Sequence, residues 1–235
     1  SGLVNGLLRN VERSRDQITY PDPSRDIVSY LAVFYSHPEW MVSRWIDRYG
    51  YEDTRKLLAF NNQSPPLTVR VNRLKTNASE LAARLDAEGV KARAGKISDT
   101  SLLLESLPTP LSELQAYSEG LFYIQGESTM LIPLCLAPRP DSLVYDFCCG
   151  VGGKTTHLAE LMGDRGKIVA FDLYRHKLEL LEQNCRRLGI SIVESRQGDL
   201  FDLIPELTEA DAVLLAAPCS GLGVLRSRVD LRWRK

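Results

Sequence analysis

The chain has 235 residues, 44% hydrophobic and 25% charged, with a formal net charge of −1. That length allows one large or two small domains with a true core. The near-zero charge leaves any attraction to nucleic acid or membrane to local basic patches. No apolar run is long enough to span a bilayer, and the first residues do not read as a secretory leader. The five cysteines are odd in number, Cys148 and Cys149 are adjacent, and none has zinc-ligand spacing. A reducing, cytoplasmic compartment without a structural metal is expected.

Three stretches separate along the chain. Residues 1–20 carry a helical pattern in Leu3, Val4, Leu7, Leu8 and Val11 that ends at Tyr20-Pro21-Asp22-Pro23-Ser24. This reads as the end of a larger upstream domain and its linker, over residues 1–23. In residues 24–118, Asp26 to Phe34 is predicted helical. His37-Pro38-Glu39 starts an amphipathic helix with Trp40, Val42, Trp45, Ile46 and Tyr49 on one face. Gly50 is expected to stop it, and a second helix covers 53–60. After Pro65-Pro66, Leu67 to Asn72 alternates like a half-buried strand. A helix over 78–88 is capped by Asn77, and short strands are expected at 91–93 and 101–105. Together these make a small α/β module.

Residues 119–235 alternate strand and helix. Strands are predicted at 143–147, 167–171, 192–196 and 211–216, with helices at 127–136, 154–163, 174–188 and 201–206. The alternation implies a parallel, doubly wound sheet. Four strands leave such a sheet without its far edge, so it is expected to be incomplete at its C-terminal side.

The most informative stretch is Asp146-Phe147-Cys148-Cys149-Gly150-Val151-Gly152-Gly153-Lys154-Thr155. A strand, a glycine turn and a helix let a ligand approach bare backbone, with the first helical amides facing it. A triphosphate cradle would need glycine where Cys148 stands, so Lys154 and Thr155 are out of register for it. The spacing also lacks the later third glycine of a dinucleotide fingerprint. The second strand ends in Asp172, about 20 residues past the glycines, where an acid accepts both ribose hydroxyls. Asp199 follows the third strand. Each Asp could merely cap the helix after it, but three at successive strand ends favour a nucleoside site.

The fourth strand runs into Ala216-Ala217-Pro218-Cys219-Ser220-Gly221. Cys219 is either a small buried residue in a tight loop or a thiol working on substrate. In the second case the chemistry would suit a pyrimidine. A thiolate adding to carbon 6 of cytosine makes carbon 5 nucleophilic toward a methyl sulfonium, and the base must leave its stack to be reached.

Read together, Tyr145 to Ala159, Phe171-Asp172 and Ala217 to Gly221 resemble the RsmB/Nol1/Nop2/Sun family. These are S-adenosyl-L-methionine-dependent RNA cytosine-5 methyltransferases. Further matching stretches are Val4 to Arg9, Tyr35 to Trp40, Pro66 to Asn72 and Phe122 to Ser128. The resemblance implies a Rossmann-like methyltransferase domain over 119–235. It also implies an RNA-binding module over 24–118, the end of a NusB-like domain over 1–23, and a ribosomal RNA substrate for a monomer. By the same resemblance Cys148, Cys149, Gly150, Val151, Gly152, Gly153 and Lys154 hold the methionine part and ribose. Asp172 binds the ribose hydroxyls and Asp199 meets the adenine. Cys219 matches the cysteine that assists product release. The nucleophile of the family is a second cysteine in a Thr-Cys motif, which is expected beyond this sequence.

Two positions depart from the family pattern. Val151 stands where proline is usual, and Ala216 stands where an Asp usually lies between cofactor and base. Losing that polar contact costs about 1–3 kcal/mol, so an RNA-binding relative without methyl transfer is the alternative. Two basic clusters, Arg70-Arg73-Lys75 and Arg226-Arg228-Arg232-Arg234-Lys235 around Trp233, could meet an RNA backbone or be ordinary surface charge. Tyr35 to Pro38, the two tryptophans Trp40 and Trp45, and His157 are expected to pack rather than react.

Overall fold

The computed structural model of the chain describes residues 2–203 and 207–234. It divides into two compact units, Pro66–Cys219 and the combination of Ser1–Pro65 with Ser220–Lys235.

In the second of these units, helix α1 (Gly2–Arg13) buries none of its residues. Leu3, Val4, Leu7, Leu8 and Val11 are all exposed. Helix α2 (Ile27–Tyr35) starts at Asp26, whose carboxylate accepts the Ser29 N–H at 2.9 Å. Helix α3 (Glu39–Asn61) is two helical segments joined at Gly50, whose φ 76° and ψ 172° are not helical. A residue with no Cβ takes that angle without steric cost, so the expected stop at Gly50 is present, with the second segment following directly at a kink. Leu31, Met41, Val42, Trp45, Leu58 and Leu225 form the core. His37 is buried beside Trp45, as packing residues would be, whereas Trp40 is half exposed.

The C-terminal basic cluster is partly structural. Arg232 is buried and donates to the carbonyls of Ser36 and Asn61 at 3.1 and 2.7 Å, and to Asn62 Oδ1 at 2.7 Å. The end of a helix leaves carbonyls without partners, and Arg232 fills that need for α3. Arg226 lies 4.1 Å from the Phe60 ring centre and donates to Ser64 O at 2.9 Å. The buried Arg232 guanidinium is not free for a phosphate, whereas Arg226 is engaged only in part. Trp233 and Arg234 remain exposed.

The unit Pro66–Cys219 contains two sheets. Strands β1 (Leu67–Val71), β2 (Ala92–Ala94), β3 (Ser101–Leu104) and β4 (Phe122–Ile124) are antiparallel, in the order β2-β3-β1-β4. Helix α4 (Ala78–Ala87) covers one face with Leu81 and Leu85 packed on Val69, Val71 and Phe122. Periodicity left β4 unassigned, because three contiguous apolar-aromatic residues carry no alternation. It pairs Val69 with Ile124. Strand β1 is buried nearly throughout rather than half-buried. Its second face holds Arg70 and Thr68, and Arg70 reaches Glu160 and Thr156 of the next sheet's first helix. Short α5 (Gln115–Ser118) and α6 (Glu127–Leu136) complete the connection.

The second sheet is the parallel, doubly wound one. Strands β5 (Leu143–Phe147), β6 (Lys167–Asp172), β7 (Val193–Gln197) and β8 (Ala212–Leu215) lie in the order β7-β6-β5-β8. Helices α7 (Gly153–Leu161) and α8 (Arg175–Leu188) pack Leu158, Met162, Leu178 and Leu181 on one face. Short α9 (Leu200–Leu203) and Leu207 cover Tyr145, Val169 and Phe171 on the other. This is a Rossmann-like arrangement, and the strand order reverses beside β5. The helix expected over 201–206 is present as α9, while 204–206 lie outside the described residues.

Candidate cofactor site

The turn after β5 is built from left-handed backbone. Cys148 has φ 60°, Gly150 φ 60° and Gly152 φ 89°. The two glycines serve different needs. A Cβ on Gly152 would stand 2.2 Å from Leu181 Cδ1, so this residue lets α8 pack against the turn. A Cβ on Gly150 would meet nothing within 4 Å, so here the bare backbone borders open space. Helix α7 begins at Gly153, and its first amides precede the intrahelical ladder. They add partial positive charge to that space.

Strand β6 delivers Asp172 to the turn. Its carboxylate is buried and accepts the N–H groups of Gly150 and Tyr174, both at 3.0 Å, and the Lys177 ammonium at 3.2 Å. The Lys177 ammonium also sits 4.5 Å from the Tyr174 ring centre. Beside them opens a cavity of about 290 Å³. Cys148, Phe171, Asp172, Leu173, Tyr174, Lys177, Asp199, Phe201 and Pro218 all line it. The side chain of Phe201 is 88% exposed, so one wall is an aromatic ring with a free face. Asp199 also caps α9, accepting the Phe201 N–H at 3.0 Å, so capping and lining coexist in one residue.

Asp146, at the end of β5, is 1% exposed. Its Oδ2 accepts the Thr155 hydroxyl at 2.6 Å, while its Oδ1 has no partner. Burial pushes this carboxyl up to about 6, against the pull of Thr155 and Lys154. A buried, unpartnered carboxylate oxygen beside a bare glycine turn suits a cationic or N–H-bearing ligand group.

The other residues singled out from the sequence divide. Cys149 is buried, its amide donates to Phe171 O at 2.9 Å, and burial raises its thiol. Val151 is exposed and borders a separate hollow with Tyr123, Asn184 and Arg187. Gly153 lies under the Tyr123 ring, and Lys154 is half-buried at the first turn of α7. Ala216 follows β8, its amide donating to Phe147 O at 3.3 Å. Cys219 is exposed, not the small buried residue of the alternative, and adjoins the cavity residue Pro218. His157 is buried and pushed down to about 3 by burial and by Arg70 and Arg73, so it stays neutral. Sequence reasoning missed Tyr174, Lys177 and Phe201. The first two had a signal, two and five residues past a strand-end acid at the start of a helix.

Among the described residues, no three His, Cys, Asp or Glu side chains gather as a metal site. No described helix is long and apolar enough to cross a membrane.

Residues 133–235 match the family described as 16S rRNA methyltransferase RsmB/F, and residues 37–110 match the ferredoxin-like domain of RsmF/B-like methyltransferases. The chain belongs to the RsmB/F family of rRNA methyltransferases. It is 34% identical, over 100% of its own length and 52% of the relative, to the probable ribosomal RNA small subunit methyltransferase B of Bacillus subtilis. It is also 34% identical to the human 28S rRNA (cytosine(4447)-C(5))-methyltransferase, covering 83% of this chain and 24% of that protein. Among solved structures, a methyltransferase homolog protein from Pyrococcus horikoshii superposes with TM-score 0.76 at 28% identity. That match covers 87% of this chain and 66% of the other. The RsmB/F chain described here spans about half the length of the bacterial relatives it matches.

Proposed function

We propose that this chain binds S-adenosyl-L-methionine and forms part of an enzyme that methylates carbon 5 of cytosine in ribosomal RNA. The observation that carries the reading is the Asp172–Gly150 contact beside the cavity, with the unpartnered Asp146 oxygen at the same strand edge. The residues fit an adenosyl amino acid in kind. Asp172 offers a carboxylate to ribose hydroxyls, Phe201 and Leu173 offer apolar walls to a purine, and Asp146 offers an acceptor to an ammonium group. The bound donor supplies an electrophilic methyl sulfonium. That carbon 5 is the target is supported by the name of the human relative.

The remaining steps belong to the whole protein. A cysteine thiolate adds to carbon 6 of an unstacked cytosine, carbon 5 takes the methyl group, and loss of the carbon 5 proton lets the thiolate leave. Cys219, exposed beside Pro218, is assigned to the release step. The sequence contains no Thr-Cys pair, so no residue of this chain is given the role of nucleophile. Residues 24–118 are assigned to RNA binding, residues 1–23 to the end of a helical domain, and residues 119–235 to the cofactor domain. A cytoplasmic location is part of the same proposal.

A second reading is favoured by one observation. Ala216 offers no polar side chain where the family usually has Asp, which suits a relative that binds RNA without transferring methyl groups. The discriminating experiment uses the whole protein. With Cys219→Ser, release fails and a covalent RNA adduct appears as a retarded band in a denaturing gel. Unchanged mobility beside an active parent removes Cys219 from the release step.

A further inference from the structure

The antiparallel sheet reaches the cofactor turn through two side chains, Arg70 of β1 and Tyr123 of β4. Arg70 lies in the middle of β1 and is 0% exposed. Its guanidinium reaches α7 at three points. It pairs with both Glu160 oxygens, Nε to Oε2 at 3.1 Å and Nη2 to Oε1 at 2.7 Å. Nη1 donates to the Gly153 carbonyl at 2.8 Å, and Nη2 donates to the Thr156 hydroxyl at 3.0 Å. That hydroxyl in turn donates to the Gly152 carbonyl at 2.7 Å. Nη1 also meets Gln125 of the segment after β4, and the guanidinium lies 5.2 Å from the Tyr123 ring centre. The Tyr123 ring packs against Gly153.

The Glu160 pair and the turn contacts are separable in purpose. A buried cation needs an anion, and Glu160 supplies one. Two bidentate bonds to a carboxylate would satisfy that requirement alone. The additional bonds to Gly153, and through Thr156 to Gly152, end on the two glycines from which the helix starts. Those glycines have no side chain to hold them. Gly152 also adopts φ 89°, so its position depends on neighbouring groups.

We infer that Arg70 is a positioning residue for the cofactor turn, by which the ferredoxin-like module fixes the Gly152–Gly153 backbone that borders the donor site. The inference rests on the cofactor reading given above. Holding the turn in the free protein removes the ordering cost that ligand binding would otherwise carry.

The test separates positioning from mere stability, with three variants and two readouts. Arg70→Lys retains a cation for Glu160 but lacks the fork that reaches Gly153 and Thr156. Thr156→Val keeps the shape and removes the bridge to Gly152. Glu160→Gln weakens the ion pair and leaves both turn contacts. In the free chain, amide hydrogen exchange over Gly150–Thr155 should rise at least about tenfold in Arg70→Lys and Thr156→Val. In Glu160→Gln, exchange at the turn should stay near the parent's, even where thermal stability falls. S-adenosylmethionine affinity by calorimetry should follow the exchange result and not the melting temperature. If Arg70→Lys does not fold, Thr156→Val decides. Parental exchange at the turn in Thr156→Val, or loss that tracks melting temperature across all three variants, overturns the inference. A parent that binds no S-adenosylmethionine, with a turn still loosened by Thr156→Val, supports the positioning role and removes the cofactor reading instead.

Discussion

Asp172 Oδ2 accepts the Gly150 amide at 3.0 Å, and together with the Cys149 amide on Phe171 O this bond ties the end of β6 to the glycine turn after β5. It fixes the two strand ends between which an open α/β sheet binds its ligand. The same carboxylate takes the Tyr174 amide and the Lys177 ammonium, so all its acceptor directions are in use. Ribose hydroxyls reaching it would displace the Lys177 ammonium, whose bonds of 3.2 and 3.4 Å are the longest of the set.

The two turn glycines should respond differently to a methyl group. Gly152→Ala combines φ 89° with a Cβ that would overlap the buried Leu181 Cδ1, so the Leu181 side chain must give way. A loss of about 3 kcal/mol is expected in chemical denaturation, from overpacking added to backbone strain. Gly150→Ala keeps only the strain of a left-handed alanine, about 1 kcal/mol. Equal losses at the two positions would contradict the division of labour argued for them.

The Asp146 carboxyl gives a pH signature. Burial holds it at about 6, above the ordinary 3.8, so the folded chain binds this proton more tightly than the unfolded chain. Its contribution is fully present below about pH 4 and is lost as pH rises through about 6, worth about 3 kcal/mol. His37 and His157, pushed down to about 4 and about 3, act with the opposite sign as pH falls below 6.5. The comparison must therefore be between parent and Asp146→Asn. In urea denaturation, the stability of Asp146→Asn relative to the parent should grow from pH 4 to pH 7.5. A difference that stays constant across that window would show that Asp146 is not a raised acid.

Arg232 offers a test of the C-terminal cluster. It serves the carbonyls of Ser36 and Asn61 and the side chain of Asn62, with no acid in the set. Arg232→Ala should destabilise its unit by about 3 kcal/mol, since charged hydrogen bonds are worth about 1.5–3 kcal/mol each and are not additive. Arg234→Ala, at an exposed ion pair with Asp230, should change stability by less than about 0.5 kcal/mol. Similar melting curves for both would return Arg232 to the surface cluster suggested by its neighbours.

These residues also mark where the sequence was legible. Strands β5 and β6 stood out because each apolar run ends in an Asp, beside glycines that only a turn requires. The parallel, doubly wound class followed from the alternation of strand and helix, and the Asp172 position from local spacing, whereas the strand order β7-β6-β5-β8 depends on pairings between distant segments. Arg70 and Arg232 read as surface charge because their partners are remote in the chain. Glu160 lies 90 positions from Arg70, and Ser36 lies 196 from Arg232. Lys75 likewise donates to Arg187 O, 112 positions away, which no local pattern announces. Strand β4 was missed for a related reason: its three residues become a strand only by pairing with β1.

The most direct measurement is calorimetric titration of S-adenosylmethionine into the chain and into Asp172→Ala. The parent should bind at one site with Kd below about 1 mM. Asp172→Ala should bind at least about tenfold more weakly while still folded by circular dichroism; tenfold corresponds to about 1.4 kcal/mol. No binding by the parent at millimolar ligand, or parental affinity in a folded Asp172→Ala, would contradict the cofactor reading.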